Sequence, residues 1–263
     1  MEQISSTLSD SVSSQVEAQA SLIPFELQLL DTAVEYQKWV GETVAPFLGQ
    51  SILEIGSGIG NMSRWLPQRE KLVLTEAHPA LFQILKKKFE GPENQNVLVK
   101  HVDITQDWVK DLAPLNVDTI ISFNVLEHIE DDHAAFRQFK SILDQSTAKK
   151  KTIISFVPAH QWAHGSLDRE FGHYRRYSGR DFRQIYQSIF PEAKCTHRHF
   201  NLFGVPGWFV VGKILKKKKI GMGSVKTFET ICPWFRDMDD FIHVHFKLPL
   251  GQSILSVIQW EKN

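Results

Sequence analysis

The sequence predicts an α/β fold: a seven-stranded, mostly parallel sheet with helices on both faces and an antiparallel last strand. Two observations support this prediction. Strand and helix periodicities alternate five times between residues 51 and 157, and a glycine-rich turn follows the first apolar strand. In a sheet of this kind, ligands bind at the carboxyl ends of the strands, where the strand order reverses.

The predicted strands recur at the spacing of strand–helix–strand units. Residues 79–89 form the clearest helix, because Pro79 suits the first helical position and the Gly-Pro pair at residues 91–92 ends the pattern. Two further helices are predicted at residues 61–66 and 131–143. The predicted strands are residues 51–55, 71–75, 97–102, 117–123, 152–157, 194–200 and 253–260.

The chain divides into a flexible N-terminal arm, residues 1–23, and a single domain, residues 24–263. The arm is rich in Ser, Gln and Glu, a composition that does not support a packed core. After Pro24, apolar residues recur at helical spacing, and we expect this helix to pack close to the first strand. Tyr36 on this helix either closes over a ligand or belongs to the core.

About fifty residues separate the sixth and seventh strands, and two apolar runs within residues 201–251 predict a helical insertion. The insertion either covers an acceptor pocket or forms a dimer interface. The last strand is expected beside the fifth and antiparallel to it. A basic cluster, Lys213 and residues 216–219, is predicted to be a solvated loop, with contact to an anionic lipid surface as the alternative.

The overall composition is that of an ordinary globular protein. The 263 residues include 30 Lys plus Arg and 30 Asp plus Glu, so the net charge is zero with His neutral. This balance gives no general attraction to nucleic acid, which we do not expect as a partner. Cys195 and Cys232 form no metal-ligand spacing, and no apolar run approaches a membrane span. We expect a cytoplasmic monomer or homodimer.

Residues 52–61 run from a hydrophobic strand into a turn with glycine at positions 56, 58 and 60. Glycine lacks a Cβ, so the backbone can turn sharply and a ligand can approach it closely. Glu54 is a carboxylate among apolar strand residues, and a buried acid is costly unless it is paired or solvated. We therefore expect Glu54 to lie where the strand opens into a ligand cleft.

Acidic residues end the next two strands. Glu76, which follows Gly56 by 20 residues, suits the two hydroxyls of an adenosine ribose. Asp103 suits the exocyclic amine of an adenine. Asn61 stands where the dinucleotide fingerprint has its third small residue, and this argues against a nicotinamide cofactor.

These motifs, together with Asn-Val-Leu-Glu-His-Ile at residues 124–129, resemble those of class I S-adenosylmethionine-dependent methyltransferases, which have a Rossmann-like sheet. The resemblance covers roughly residues 30–200. The segment Gly-His-Tyr-Arg-Arg-Tyr at residues 172–177 is similar to that of a bacterial subgroup that methylates small molecules. The resemblance implies S-adenosylmethionine as the cofactor.

By this resemblance, the three turn glycines would flank the methionine portion of the cofactor. Glu54 would orient the loop or meet the ammonium group through water. Glu76 would hold the ribose and Asp103 the adenine, while Asn124 would lie near the ammonium group and face the acceptor. The residues assigned to the cofactor are Tyr36, Glu54, Gly56, Ser57, Gly58, Gly60, Asn61, Glu76, Ala77, Asp103, Ile104, Asn124 and Val125.

Residues 158–177 show no apolar periodicity, and a loop of this length in a compact domain is usually functional. Its aromatic and histidine content favours an acceptor-binding lid. Arg175 and Arg176 either clamp an acidic acceptor or pair with Asp168 and Glu170 to fold the loop. The residues assigned to the acceptor are Trp162, Tyr174, Arg175, Arg176, Tyr177 and Trp208.

Methyl transfer is an in-line displacement in which the protein mainly positions the nucleophile, and a base is needed only for a hydroxyl or a protonated amine. A metal site at Asn124, Glu127 and His128, with His133, is an alternative. An asparagine in place of a carboxylate weakens a site for a hard cation, so we expect no metal. The candidates for catalytic residues are His128, His173, His164 and Asp168.

The leading hypothesis is methyl transfer from S-adenosylmethionine to an O or N atom of a small organic acceptor, in specialised or envelope-related metabolism. The aromatic residues of the lid and insertion favour such an acceptor over protein or RNA. The alternatives are a nicotinamide-dependent oxidoreductase and a non-catalytic subunit that binds S-adenosylmethionine.

Overall fold

The computed structural model describes residues 23–218 and 221–261. The predicted flexible arm, apart from its last residue, and Lys219 of the basic cluster lie outside these ranges. The seven strands are β1 Ser51–Ile55, β2 Lys71–Glu76, β3 Val97–His101, β4 Thr119–Phe123, β5 Lys150–Pro158, β6 Lys194–Phe200 and β7 Ser253–Glu261.

Nine α-helices occur in the described ranges, together with short 3₁₀ and π-helical turns. They are α1 Phe25–Asp31, α2 Val34–Val44, α3 Pro79–Phe89, α4 Val109–Leu112, α5 Asp132–Gln145, α6 Ser166–Glu170, α7 Gly179–Ile189, α8 Gly204–Phe209 and α9 Met222–Phe241. No helix of the described residues is long and apolar enough to span a membrane.

The strands form one sheet in the order β3-β2-β1-β4-β5-β7-β6. β1 to β5 are parallel, and β7 runs antiparallel to both β5 and β6. The predicted fold class and the position of the last strand beside β5 are therefore confirmed. The order reverses between β1 and β4, so the carboxyl ends of these two strands mark the expected ligand site.

Two apolar clusters cover the two faces of the sheet. Alternate residues of β1 divide between them, with Leu53 and Ile55 in one cluster and Ile52 in the other. The first cluster includes Phe136 of α5 and Phe182 of α7. Side chains of α2, α3 and α9 contribute to the second. Because alternate residues of a strand share a face, Glu54 projects from the same face as Ile52.

The segment after β1 differs from its prediction. A helix over residues 61–66 was expected, but the chain forms only a 3₁₀ turn, Ser63–Trp65. The preceding glycines are in the left-handed region and Pro67 follows, so too few residues remain for an α-helix. The segment 158–177 is also more regular than predicted, because it contains the turn Gln161–Ala163 and helix α6.

The insertion between β6 and β7 is helical, as predicted. α8 continues into a π-helical turn, Val210–Ile214, and α9 continues into a second, Ile242–Phe246. Both carboxylate oxygens of Glu229 in α9 accept hydrogen bonds from the first turn of α2, from the N–H of Glu35 at 2.7 Å and of Tyr36 at 3.2 Å. The insertion thereby caps a helix of the core.

Candidate active site

The turn after β1 has the backbone conformation that only glycine adopts easily. Gly56, Gly58 and Gly60 have φ values of 65°, 58° and 80°. A Cβ added to Gly56 would lie 2.7 Å from Cγ2 of Val125, so this glycine permits the turn after β4 to approach the turn after β1. The two turns together form the carboxyl edge of the sheet at the switch point.

Buried polar atoms surround this turn. Glu54, Ser57, Asn61 and Ser63 are all buried, and each has a side-chain oxygen with no hydrogen-bond partner among the described residues. Burial raises the pKa of Glu54 to about 7, although the nearby hydroxyls of Ser63 and Ser57 act in the opposite direction. Acceptors buried without partners fit a cationic ligand that donates hydrogen bonds.

Glu76, at the end of β2, is bonded to the same turn. Its Oε2 accepts the N–H of Gly58 and its Oε1 accepts the N–H of His78, both at 2.8 Å. Ala77 beside it is exposed. The carboxylate is thus held at the edge of the glycine turn, where a ribose hydroxyl would compete with these backbone donors.

Asp103, after β3, turns back on its own chain. Its Oδ1 accepts the N–H of Thr105 at 2.9 Å and the hydroxyl at 2.7 Å, and these bonds hold the pKa of Asp103 below its usual value. Ile104 is buried in the core. The neighbouring apolar and acidic groups predicted for an adenine are therefore present, with the acid fixed by a local turn.

Helix α1 lies against the glycine turn, close to the first strand as expected for the helix after Pro24. Asn61 donates its side-chain amide to the carbonyl of Leu27 at 2.9 Å, and a Cβ at Gly58 would lie 3.3 Å from the Leu27 side chain. Tyr36, assigned to the cofactor, packs edge-on against Phe200 and Phe228. The structure thus places Tyr36 in an aromatic cluster of the core.

The turn after β4 begins with Asn124 in the left-handed region, φ 51°, which asparagine tolerates better than most residues. Its N–H donates to the carbonyl of Phe156 at 2.8 Å. Val125 meets the glycine turn, and a 3₁₀ turn, Leu126–His128, follows. Glu127 is fully buried. This turn joins the cofactor-side residues to the histidines described next.

Asp168 is the centre of a buried ionic network. Its Oδ1 accepts hydrogen bonds from Nδ1 of His173 at 3.0 Å and from Nε of Arg176 at 2.6 Å. Its Oδ2 accepts a hydrogen bond from the N–H of Gly165 at 2.8 Å. Burial alone would raise the pKa of Asp168, but the bonds from His173 and Arg176 hold it well below its usual range. Asp168 is therefore ionised, and its carboxylate orients the ring of His173.

His173 and His128 lie together. Their ring centroids are 4.7 Å apart and nearly perpendicular, and each offers a ligand atom within 4.8 Å of one on Glu127. Burial, with the neighbouring His173, lowers the pKa of His128 to about 4, so its imidazole is neutral at pH 7. His164 is outside this group, because its Nε2 lies 3.2 Å from the carbonyl oxygen of His173.

Two residues assigned to the acceptor are instead structural. Tyr177 is 1% exposed, and its hydroxyl donates to Asp132 at 2.8 Å, so it is part of the core and not of an open pocket. Arg175 pairs with the same Asp132 at 3.1 Å, whereas Glu170 pairs with Lys218. Arg175 therefore neither pairs with Glu170 nor stands free to clamp an acceptor.

Three other residues assigned to the acceptor are brought together. Arg176 packs its guanidinium 4.7 Å from the ring centroid of Trp208, in helix α8, and both line a cavity of about 10 Å³ with Trp162. Trp162 is 50% exposed at the rim. Tyr174 is 55% exposed, and its N–H donates to the carbonyl of Glu127 at 2.8 Å. The insertion thus closes over the segment after β5.

The family model described as a methyltransferase domain matches residues 32–189, which is more than half of the chain. The chain belongs to this family. It is a class I S-adenosylmethionine-dependent methyltransferase, as the sequence motifs predicted, and S-adenosylmethionine is its cofactor. The alternative of a nicotinamide-dependent oxidoreductase is thereby excluded.

Solved methyltransferases share the fold at low sequence identity. A methyltransferase in complex with the Haloferax volcanii Trm112 activator superposes with a TM-score of 0.54 at 14% identity, covering 91% of this chain and 96% of that one. The plantazolicin methyltransferase BamL, in complex with a substrate analogue and SAH, gives 0.52 at 10% identity, with 95% of each chain covered.

One curated relative is similar over a shorter range. A probable ribosomal RNA small subunit methyltransferase A of Methanosarcina mazei is 34% identical over 83 residues, which are 30% of this chain and 31% of the relative. The chain thus spans about a third of the length of this relative.

Proposed function

We propose that this methyltransferase transfers a methyl group to an oxygen or nitrogen atom of a small organic acceptor, in specialised or envelope-related metabolism. The observation that carries the proposal is the partly buried group of Glu127, His128 and His173. Glu127 and His128 lie on the turn whose Val125 packs against Gly56 of the cofactor loop, and His173 lies beside them, so groups able to handle a proton are close to the proposed site of methyl transfer.

The residues of the glycine turn fit the cofactor. Glu54 and Asn61 offer buried acceptor oxygens to the ammonium group, and Glu76 offers a carboxylate to the ribose once it exchanges its backbone donors. The bound cofactor supplies a methyl group made electrophilic by a sulfonium sulfur. Acidic and neutral acceptors around the turn suit that cation, whereas a pyrophosphate would need donors.

His128 and His173 handle the proton of the acceptor. Asp168 holds Nδ1 of His173, which leaves Nε2 facing away from the carboxylate, and His128 is neutral at pH 7. As the acceptor atom forms its bond to the methyl carbon, the electrons of the carbon–sulfur bond stay on sulfur and the acceptor proton passes to this group. The group is needed for a hydroxyl or a protonated amine and is unnecessary for a free amine, whose lone pair attacks the methyl carbon directly.

The aromatic side chains of Trp162 and Trp208, which line one cavity with Arg176, support a small, partly apolar acceptor. The ribosomal RNA methyltransferase relative favours RNA as the second candidate, although the match is limited to 83 residues. These two acceptors differ in size and in sensitivity to nuclease, so one labelling experiment distinguishes them.

The test uses purified protein, S-adenosylmethionine with a labelled methyl group, and an extract from a strain that lacks the protein. The extract is separated by size and each fraction is assayed with and without ribonuclease. We expect label in the small-molecule fraction, insensitive to the nuclease, and a loss of at least about 100-fold in the His173→Ala variant. Label confined to nuclease-sensitive RNA would overturn the proposal in favour of RNA.

A further inference from the structure

Glu127, His128 and His173 are the one group of three metal-ligating side chains found in the described ranges. Glu127 and His128 come from the turn after β4, and His173 comes from the segment after β5. One ligand atom of each lies within 4.8 Å of the others. Metal–nitrogen and metal–oxygen bonds of about 2.0 to 2.2 Å place two donors at most about 4.4 Å apart, so a small movement of these side chains would bring the three atoms around a single ion.

Both imidazoles are already oriented by a second interaction. Nδ1 of His173 is held by the carboxylate of Asp168 at 3.0 Å, which leaves Nε2 as the ring nitrogen available to a ligand. His128 is hydrogen-bonded to the backbone of Gly172. A histidine that binds a metal usually gives its other ring nitrogen to a carboxylate or a backbone carbonyl, and both histidines follow this pattern.

The segment that carries His173 is anchored in place. Asp168 is itself fixed by Arg176 at 2.6 Å, and the N–H of Tyr174, next to His173, donates to the carbonyl of Glu127 at 2.8 Å. The two parts of the chain that supply the three ligands are therefore bound to each other directly. This rigidity is what a metal site requires of its protein.

We propose that Glu127, His128 and His173 bind a divalent transition-metal ion, zinc or manganese. Two imidazoles and one carboxylate form a donor set that suits these ions, whereas magnesium prefers oxygen donors alone. This ligand set differs from the one that the sequence suggested. His133 is half exposed and bonded to Asp132, and it does not belong to the group.

The ion gives the group a second way to act on the acceptor. An acceptor hydroxyl bound to the ion would release its proton to solvent water more readily, and the two histidines would then serve as ligands instead of bases. This consequence rests on the proposed function, but binding of the ion does not. The test therefore begins with binding, in the absence of cofactor and acceptor.

The full-length protein is treated with a chelator, dialysed, and titrated calorimetrically with ZnCl₂, MnCl₂ and MgCl₂ in turn. We expect one equivalent of zinc or manganese to bind, with magnesium at least about tenfold weaker. His128→Ala, His173→Ala and Glu127→Gln should each weaken binding by at least about tenfold, and Asp168→Asn by about 10- to 100-fold. His133→Ala is the matched control and should bind as the wild type does.

Circular dichroism of each variant establishes that it is folded. As a second measurement, Co²⁺ added to the wild type should give the visible absorption bands of a coordinated ion, and zinc should displace them. No binding by the wild type, or binding that His128→Ala and His173→Ala leave unchanged, would overturn the proposal. Methylation by protein that the chelator has freed of metal would refute the role of the ion in the reaction and keep the proposed function, whereas metal binding without methylation of small molecules would keep the site and refute the proposed function.

Discussion

The carboxyl group of Glu54 makes the stability of the free protein depend on pH. Burial raises its pKa from 4.5 to about 7. Between these values the folded protein holds a proton that the unfolded chain has released, so this contribution to stability falls as pH rises from 4.5 to 7. Binding of a cationic cofactor near Glu54 would favour the ionised form and release that proton.

We predict that Glu54→Gln removes this dependence. Between pH 5 and pH 8, the free energy of unfolding of the wild type should fall relative to that of the variant by about 2 to 3 kcal/mol. Urea denaturation at each pH measures the difference. Glu42→Gln, at an exposed carboxylate, is the control and should follow the wild type. Parallel curves for wild type and Glu54→Gln would contradict the assignment.

Asp168→Asn should destabilise the protein by about 3 to 5 kcal/mol, because it leaves the buried charge of Arg176 without its partner. Denaturant titration measures the loss. Glu170→Gln, on the same helix, removes an exposed ion pair with Lys218 and should change stability by less than about 1 kcal/mol. Equal effects of the two substitutions would show that the buried pair is not structural.

At the residue scale, sequence reasoning identified Glu54 because a single carboxylate stood in an apolar strand beside three glycines. It did not distinguish Arg175 from Arg176. Both follow Asp168 within eight residues, and the choice depends on Trp208, which packs on Arg176 from a helix more than thirty residues later. Contacts of this kind are not encoded in local spacing.

Among the elements, helix α2 depends on a cap supplied from another part of the chain. Its preceding residue is Ala33, which has no side-chain acceptor, and Glu229 of α9 accepts two of the free N–H groups instead. The N-terminus of α2 therefore gains this cap only when the insertion is folded against it.

Glu229→Ala should lower the free energy of unfolding by about 1 kcal/mol, the usual effect of losing an N-terminal cap. Chemical denaturation measures this change, and amide exchange at Glu35 and Tyr36 should accelerate. Glu42→Ala, in the same helix but paired at the surface with Arg236, serves as the comparison and should cost less than about 0.5 kcal/mol. Unchanged exchange at Glu35 and Tyr36 would show that the cap is dispensable.

The strands were predicted closely because apolar runs end at Gly, Pro or acidic residues, and β1 and β6 have the expected bounds. The helix at residues 61–66 was wrong, since three glycines with positive φ occupy the preceding turn. A helix close to the first strand was expected after Pro24, but the specific contact of Leu27 with Gly58, about thirty residues later, depends on tertiary packing and was not predictable.

For the molecule as a whole, the contact between α1 and the glycine turn links cofactor binding to the order of the N-terminal part of the domain. We predict that S-adenosylhomocysteine at 100 times its dissociation constant stabilises the protein by about 2.7 kcal/mol. Amide exchange in residues 25–31 should slow more than in α5, which lies on the other face of the sheet. Equal slowing in both helices would argue against a local contact.

The whole-molecule prediction succeeded for the sheet and its cofactor, because both rest on short motifs at strand ends. The acceptor was not deducible. Its proposed surroundings combine the segment after β5 with the insertion, and Arg176 and Trp208 meet only through tertiary packing. The proposed metal ligands were anticipated only in part: the sequence suggested Glu127 and His128 but paired them with His133, whereas His173 reaches them from a different strand connection.

The position of β7 between β5 and β6 has a consequence for how the chain folds. In the described sheet, β6 pairs with β7 alone, and residues 201–252 separate the two strands. During synthesis the backbone groups of β6 therefore remain without a strand partner until the whole insertion and β7 have emerged. His197, Arg198 and His199 give this unpaired strand the polar character that discourages association with other chains.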